Sequence, residues 1–98
     1  MAGSKEDTTF YVIAYDIPND RRRTKVHDIL CGFGRWTQYS LFECYLGAKE
    51  LITLRHKLDK YLKEDEDSVR FYTLCEKCLA KTETVGASKP EEEKVYIV

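Results

Sequence analysis

Apolar residues first gather at Phe10-Tyr11-Val12-Ile13-Ala14-Tyr15, a short, nearly continuous run rich in aromatic and β-branched side chains. Such a run reads as a strand covered on both faces. It breaks at Asp16-Ile17-Pro18-Asn19-Asp20, where a proline among Asx residues signals a turn and a helix N-cap. Val26, Ile29, Leu30 and Phe33 then recur at helical spacing behind a first turn crowded with Arg21, Arg22, Arg23 and Lys25. Gly32 and Gly34 close that helix in the usual C-terminal way.

Residues 36–46 read as a second strand. Trp36, Gln38, Ser40, Phe42 and Cys44 fall on one face, and Thr37, Tyr39, Leu41, Glu43 and Tyr45 on the other. Aromatics stand on both faces, so neither is simply a solvent face. Leu51, Leu54, Leu58 and Tyr61 mark a second amphipathic helix over 48–62, ended by the acidic run Glu64-Asp65-Glu66-Asp67. That run reads as a solvated loop. Residues 69–74 are rich in β formers and give a third strand, 82–85 a short fourth strand closed by Gly86, and 95–98 an apolar β-type tip.

The order is close to β-α-β-β-α-β with one element displaced. If the long second segment supplies two ladder partners, or both helices cover one sheet face, an α+β sandwich of the ferredoxin-like kind results. The other sheet face then keeps aromatic residues such as Tyr39 or Phe42 uncovered, and a two-fold homodimer packed through it is the economical solution. Three segments follow: a polar tail at 1–9, the ferredoxin-like domain at 10–86, and a linker with an edge strand at 87–98.

Length supports this reading. At 98 residues the chain suits one domain, and one of that size buries only roughly 60–65% of its unfolded surface, so a second copy would help stability. Hydrophobic residues at 43% suffice for a folded globule. With 16 Lys and Arg against 17 Asp and Glu, the formal charge is −1. Any nucleic-acid binding must therefore come from a local patch. No apolar run approaches the roughly 20 residues that cross a bilayer, and the polar N-terminus lacks the apolar centre of a secretory signal. The expected location is cytoplasmic, with no membrane partner and with reduced cysteines.

Three groups of residues could carry chemistry. Asp16 ends the first strand at the mouth of a helix; an Asp there most often caps, and one carboxylate alone makes no metal site, although a two-fold axis would present it twice. The cluster of Arg21, Arg22, Arg23 and Lys25, with Arg35 beyond the helix, opposes the helix dipole unless phosphate lies nearby; phosphate contact and a solvated face both remain open. Cys75-Glu76-Lys77-Cys78 is a lone CxxC. A zinc site needs a second pair of ligands, and a thioredoxin-like role would need the pair to open a helix after a strand. Buried or half-buried structural cysteines are favoured, and no metal is assigned to them.

Tyr15-Asp16-Ile17, the basic helix start from Arg21 to Lys25, Gly34, Gln38-Tyr39-Ser40-Leu41-Phe42-Glu43 and Val69-Arg70-Phe71-Tyr72-Thr73-Leu74 closely resemble the small CRISPR-associated adaptation protein, the Cas-two family. The resemblance runs from about Phe10 through nearly the whole chain. It implies a ferredoxin-like homodimer with open sheet faces packed together. Its better-supported role is a dimer that bridges two copies of the CRISPR-associated integrase and binds the backbone of duplex prespacer DNA for spacer acquisition. The resemblance also implies an alternative, a divalent-metal-dependent endonuclease acting on RNA or DNA. There Asp16 would be both the catalytic residue and the metal ligand, with one Mg²⁺ or Mn²⁺ per dimer held between the two Asp16 copies. Ser40 and Phe42 would line the cleft, Arg23, Lys25 and Arg35 would hold phosphates, and the tip at 95–98 would add an edge strand to the partner or the integrase. A small-molecule sensor or interaction domain of the same fold is the bland third reading.

Overall fold

The computed structural model describes residues 8–86. Strand β1 (Thr9–Asp16) leads into helix α1 (Asp20–Cys31), and β2 (Arg35–Gln38) and β3 (Leu41–Leu46) form a hairpin. Helix α2 (Ala48–Asp59), strand β4 (Ser68–Leu74) and a short helix α3 (Glu76–Ala80) complete the chain in order. The four strands make one antiparallel sheet in the order β2-β3-β1-β4. The order β-α-β-β-α-β is thus present, as expected of a small α+β domain. No helix among the described residues is long and apolar enough to cross a membrane.

Local chemistry explains where the elements begin. Asn19, not Asp16, caps α1: its side chain accepts from the Arg22 backbone N–H at 2.9 Å, satisfying a donor that the first helical turn leaves free. At α2, Glu50 reaches back to accept from the Gly47 N–H at 2.8 Å. Val26 and Leu30 on α1, and Leu54 and Leu58 on α2, are each four residues apart and so share a face. All four are buried against Ile13, Tyr15, Phe42, Cys44 and Leu46 of the sheet, so both long helices cover one side of it.

Two expectations need correction. The segment 36–46 is not one strand, because it turns at Tyr39-Ser40, with Tyr39 in the left-handed region at φ 45°. The Trp36 indole N–H donates to the Tyr39 carbonyl at 2.8 Å, the Thr37 hydroxyl to the Leu41 carbonyl at 3.2 Å, and the Tyr15 N–H to the Ser40 carbonyl at 3.1 Å. These bonds hold a backbone conformation that costs about 1–2 kcal/mol in a non-glycine residue. Nor do residues 82–85 form a strand. The chain after β4 becomes α3, whose Glu, Lys, Leu and Ala are strong helix formers, and the Thr82 hydroxyl closes it on the Cys78 carbonyl at 3.2 Å. The fourth strand comes from the divided second segment instead. The edge strand expected at 95–98 lies outside the described residues.

Strand alternation leaves the other sheet face to Phe10, Val12, Ala14 and Asp16 of β1, Leu41, Glu43 and Tyr45 of β3, and Arg70, Tyr72 and Leu74 of β4. Phe10 and Tyr45 meet edge to face with ring centroids 5.0 Å apart. Neither α1 nor α2 covers this face, although Phe10 is buried within it.

Candidate nucleic-acid interface

The carboxylate of Asp16 stands at the C-terminal end of β1, opposite Ser68 in the ladder, and is exposed. Because Asn19 takes the capping role, Asp16 makes no side-chain hydrogen bond or ion pair among the described residues. The next residue, Ile17, is buried and pins the strand end against the core, which fixes where the carboxylate sits.

The basic cluster divides into cations with internal partners and cations without them. Arg22 grips Asp67 with two nitrogens, Nε to Oδ2 at 2.8 Å and Nη2 to Oδ1 at 3.0 Å, and Nη2 also reaches Glu66 at 2.8 Å. The Asp67 side chain is wholly buried and also accepts from the Lys63 N–H at 2.9 Å. The acidic run is therefore no solvated loop at its end. It clamps the loop after α2 onto α1, and Arg22 serves that clamp. Arg23 donates to the Ile17 and Pro18 carbonyls at 2.9 and 3.4 Å and pairs with Asp20, which holds the strand-to-helix turn beside Asp16. Lys25 lies over the Tyr61 ring, 5.5 Å from its centroid. Arg35 meets Glu43 at 3.4 Å on the uncovered sheet face. Arg21 is exposed and makes no bond or ion pair among the described residues.

The clamp has a pH signature. The bond from Arg22 holds the Asp67 carboxyl below its ordinary value of 3.8. A carboxyl depressed in the folded state contributes stability that is fully present above the unfolded value and disappears as pH falls through the folded one. The melting temperature should thus drop between roughly pH 5 and pH 2, and Asp67→Asn, already less stable at neutral pH, should show a shallower acid limb. Superimposable acid limbs in the two proteins would remove the clamp from the account.

Beside the turn between β2 and β3 lies a pocket of about 350 Å³ lined by Tyr15, Arg23, Thr24, His27, Tyr39 and Ser40. The Tyr15 hydroxyl and His27 Nδ1 share a hydrogen bond at 3.1 Å, and burial raises the Tyr15 hydroxyl above its ordinary pKa. His27 packs edge-on to Phe42 and Trp36, with centroids 5.1 and 6.1 Å away. Ser40 lines this pocket. Phe42 does not: it is wholly buried beneath His27 and Tyr15 and belongs to the core, which corrects its expected place in a cleft wall. Sequence reasoning passed over Tyr15, His27 and Tyr39 as pocket residues. Tyr15 adjoins Asp16 and His27 follows Arg23 by one helical turn, and those two spacings were the available signals.

No three His, Cys, Asp or Glu side chains among the described residues gather into a metal site. One chain brings a single carboxylate at Asp16, so the donor set fits a divalent cation only when a second copy brings another.

The family profile for CRISPR associated protein Cas2 matches residues 9–82. The chain is similar to "CRISPR-associated endoribonuclease Cas2 1" of Synechocystis sp., with 39% identity over 92 residues covering 90% of this chain and 98% of the relative. Among solved structures it is similar to Cas2 of Streptococcus pyogenes, with a TM-score of 0.68, 28% identity, and coverage of 79% of this chain and 99% of that one. It is also similar to a chain of a partial Cas6-RT-Cas1–Cas2 complex, with a TM-score of 0.70 and 25% identity over 79% of this chain and 84% of that one.

Proposed function

The chain belongs to the CRISPR-associated Cas2 family, and on that footing we propose that it is an adaptation subunit, a homodimer that bridges integrase subunits and binds the backbone of duplex prespacer DNA. The observation that carries this reading is the uncovered sheet face. Phe10, Val12, Ala14, Leu41, Tyr45 and Leu74 make it apolar at its centre, and a two-fold contact hides one such patch against another. A solved chain with this fold comes from a complex that contains Cas1 and Cas2, which supports an integrase as the partner.

Pairing also changes the electrostatics. The net charge of −1 gives no general attraction to a polyanion, but each copy presents Arg21 and Lys25 on an exposed helix start. Two copies double that patch and space it along a duplex, where phosphate contacts position the protein without reading sequence. Arg22 is excluded from this role by its clamp on Asp67, and Arg23 contributes chiefly by shaping the turn. The double variant Arg21→Ala, Lys25→Ala removes two cations per copy. It should weaken duplex binding at low salt by at least about tenfold and flatten the plot of log affinity against log salt by up to roughly 3.6. An unchanged slope, or spacer insertion with purified integrase at the wild-type rate, would defeat the phosphate assignment.

The free Asp16 carboxylate supports a second reading, metal-dependent phosphodiester cleavage by the paired Asp16 residues, in line with the endoribonuclease name of the Synechocystis relative. A bound Mg²⁺ or Mn²⁺ would supply an activated water and charge stabilisation. For this chain's part, the two carboxylates would orient that water, while Arg23 holds the loop that carries Asp16. Asp16→Asn, assayed on RNA and duplex DNA with Mg²⁺, should lose at least about a hundredfold in cleavage rate. Equal cleavage by both proteins would remove the enzyme, and intact spacer insertion by the variant would separate the two roles.

A further inference from the structure

Helix α3 opens directly after β4 with Cys75 as its first flanking residue and Cys78 one turn on. The Cys75 carbonyl accepts from the Leu79 N–H at 2.9 Å, so the turn is closed and the two side chains, three residues apart, share a face. Both cysteines are exposed, against the expectation of buried structural thiols. The strand-then-helix placement that a redox dithiol requires, and that the sequence alone left unmet, is present.

We propose that Cys75 and Cys78 form a redox-active dithiol that exchanges with soluble disulfides of the glutathione type, with Cys75 attacking and Cys78 resolving. The roles follow from an asymmetry in the pair. The backbone and thiol of Cys78 hold the Cys75 thiol below its ordinary pKa, which favours its thiolate. Cys75 in turn raises the Cys78 thiol above its ordinary pKa, which favours its protonated form. The other two cysteines are unsuited to exchange. Burial pushes the Cys44 thiol up to about 12, and burial with the nearby Asp28 charge raises that of Cys31. Since the thiolate is the nucleophile, Cys75 is the cysteine that is both exposed and lowered, and Cys78 is the exposed thiol beside it.

The chemistry balances without a metal or a further cofactor. The Cys75 thiolate attacks one sulfur of the small disulfide, forming a mixed disulfide and expelling one thiolate. Cys78 then gives up its proton to solvent and attacks the Cys75 sulfur, forming the Cys75–Cys78 bond and expelling the second thiolate. Two electrons pass from the pair to the small disulfide, which leaves as two thiols. Both sulfurs lie within one helical turn, so closure needs only local adjustment at the end of edge strand β4. A zinc site is the competing use of a CxxC, but two sulfurs are half a ligand set, and no third His, Cys, Asp or Glu joins them among the described residues.

The test uses the reduced full-length chain in anaerobic mixtures of reduced and oxidised glutathione, with acid quenching, alkylation in denaturant and peptide mass mapping. The expected product is an intramolecular Cys75–Cys78 disulfide, with Cys31 and Cys44 alkylated. Cys78→Ser should stop at a glutathione adduct on Cys75, whereas Cys75→Ser should form its adduct on Cys78 about tenfold more slowly. Both substitutions are on the surface, and circular dichroism should match the wild type. A pair that stays reduced across the range, equal adduct rates in the two variants, first reaction at Cys31, or chelator-removable zinc protecting both sulfurs would each overturn the proposal.

Discussion

Val12→Arg is expected to abolish the proposed dimer while leaving the chain folded. Val12 lies at the centre of the uncovered face, opposite Glu43 on β3 and Tyr72 on β4. In an isolated chain the new guanidinium is solvated, and Glu43 on the neighbouring strand offers it a partner across the ladder. In a two-fold pair the same charge appears twice within one buried contact. Burying a charge without full compensation costs several kcal/mol. About 4 kcal/mol corresponds to a thousandfold weaker association, enough to leave monomer at micromolar concentration. Sedimentation equilibrium on both proteins checks this, with a melting curve within a few degrees of wild type as the control for folding. A wild-type chain that is monomeric, or a Val12→Arg chain that still dimerises, would remove the uncovered face as the interface.

The same face shows how much of the fold the sequence made legible. Strand β1 was readable because six apolar residues in a row have no other comfortable place, and Pro18-Asn19-Asp20 announced the start of α1. The α2 stripe at Leu51, Leu54 and Leu58 was equally plain, although the helix stops at Asp59 and Tyr61 belongs to the following turn, where its N–H bonds the Leu58 carbonyl. Ferredoxin-like order followed from these parts. Regular elements write their periods into the sequence, and here three periodic segments were enough.

What stayed hidden depended on partners distant in sequence. Only Ser40 hints at a turn at Tyr39-Ser40, since no Gly, Asn or Asp stands there; the Trp36 and Tyr15 hydrogen bonds support it. Among three consecutive arginines, sequence could not say that Arg22 would meet Asp67, 45 positions on, and so leave the set proposed to contact phosphate. Phe42 carried the aromatic signature of a surface residue because alternation gives a face but not which face the helices cover. At residues 82–85 a Thr-Glu-Thr-Val stretch has β-type residues but no neighbouring strand to pair with, and α3 forms ahead of it. Asp16 was the reverse case: the capping role that weighed against it belongs to Asn19, and only the structure separates the two.

Gly34→Ala should be among the most destabilising single substitutions in the chain, for a reason different from the helix-ending role its position suggests. Gly32 flanks the end of α1 with an ordinary φ of −82°, and an added Cβ there meets only the Ile29 carbonyl at 3.4 Å. At Gly34 the added carbon would stand 2.5 Å from the Glu43 carbonyl oxygen and also strike the Cys44 side chain. The first obstacle is backbone of the central hairpin and the second is a fully buried core side chain, so neither can withdraw cheaply. Overpacking of this kind costs about 1–3 kcal/mol, sometimes more, and the backbone clash places the expectation at the upper end. For a domain of this size that is a fall of roughly 12–24 °C in Tm. Gly32→Ala, with room to accept a methyl group, should stay within about 0.5 kcal/mol of wild type. Adding Cys44→Ala to Gly34→Ala should restore only part of the loss, because it removes the sulfur and leaves the Glu43 carbonyl. A double-mutant cycle on urea unfolding measures that coupling. Full recovery in the double variant would mean that the sulfur alone sets the cost. A Gly34→Ala chain as stable as wild type would show that the hairpin yields, and that the glycine is there for some reason other than close approach.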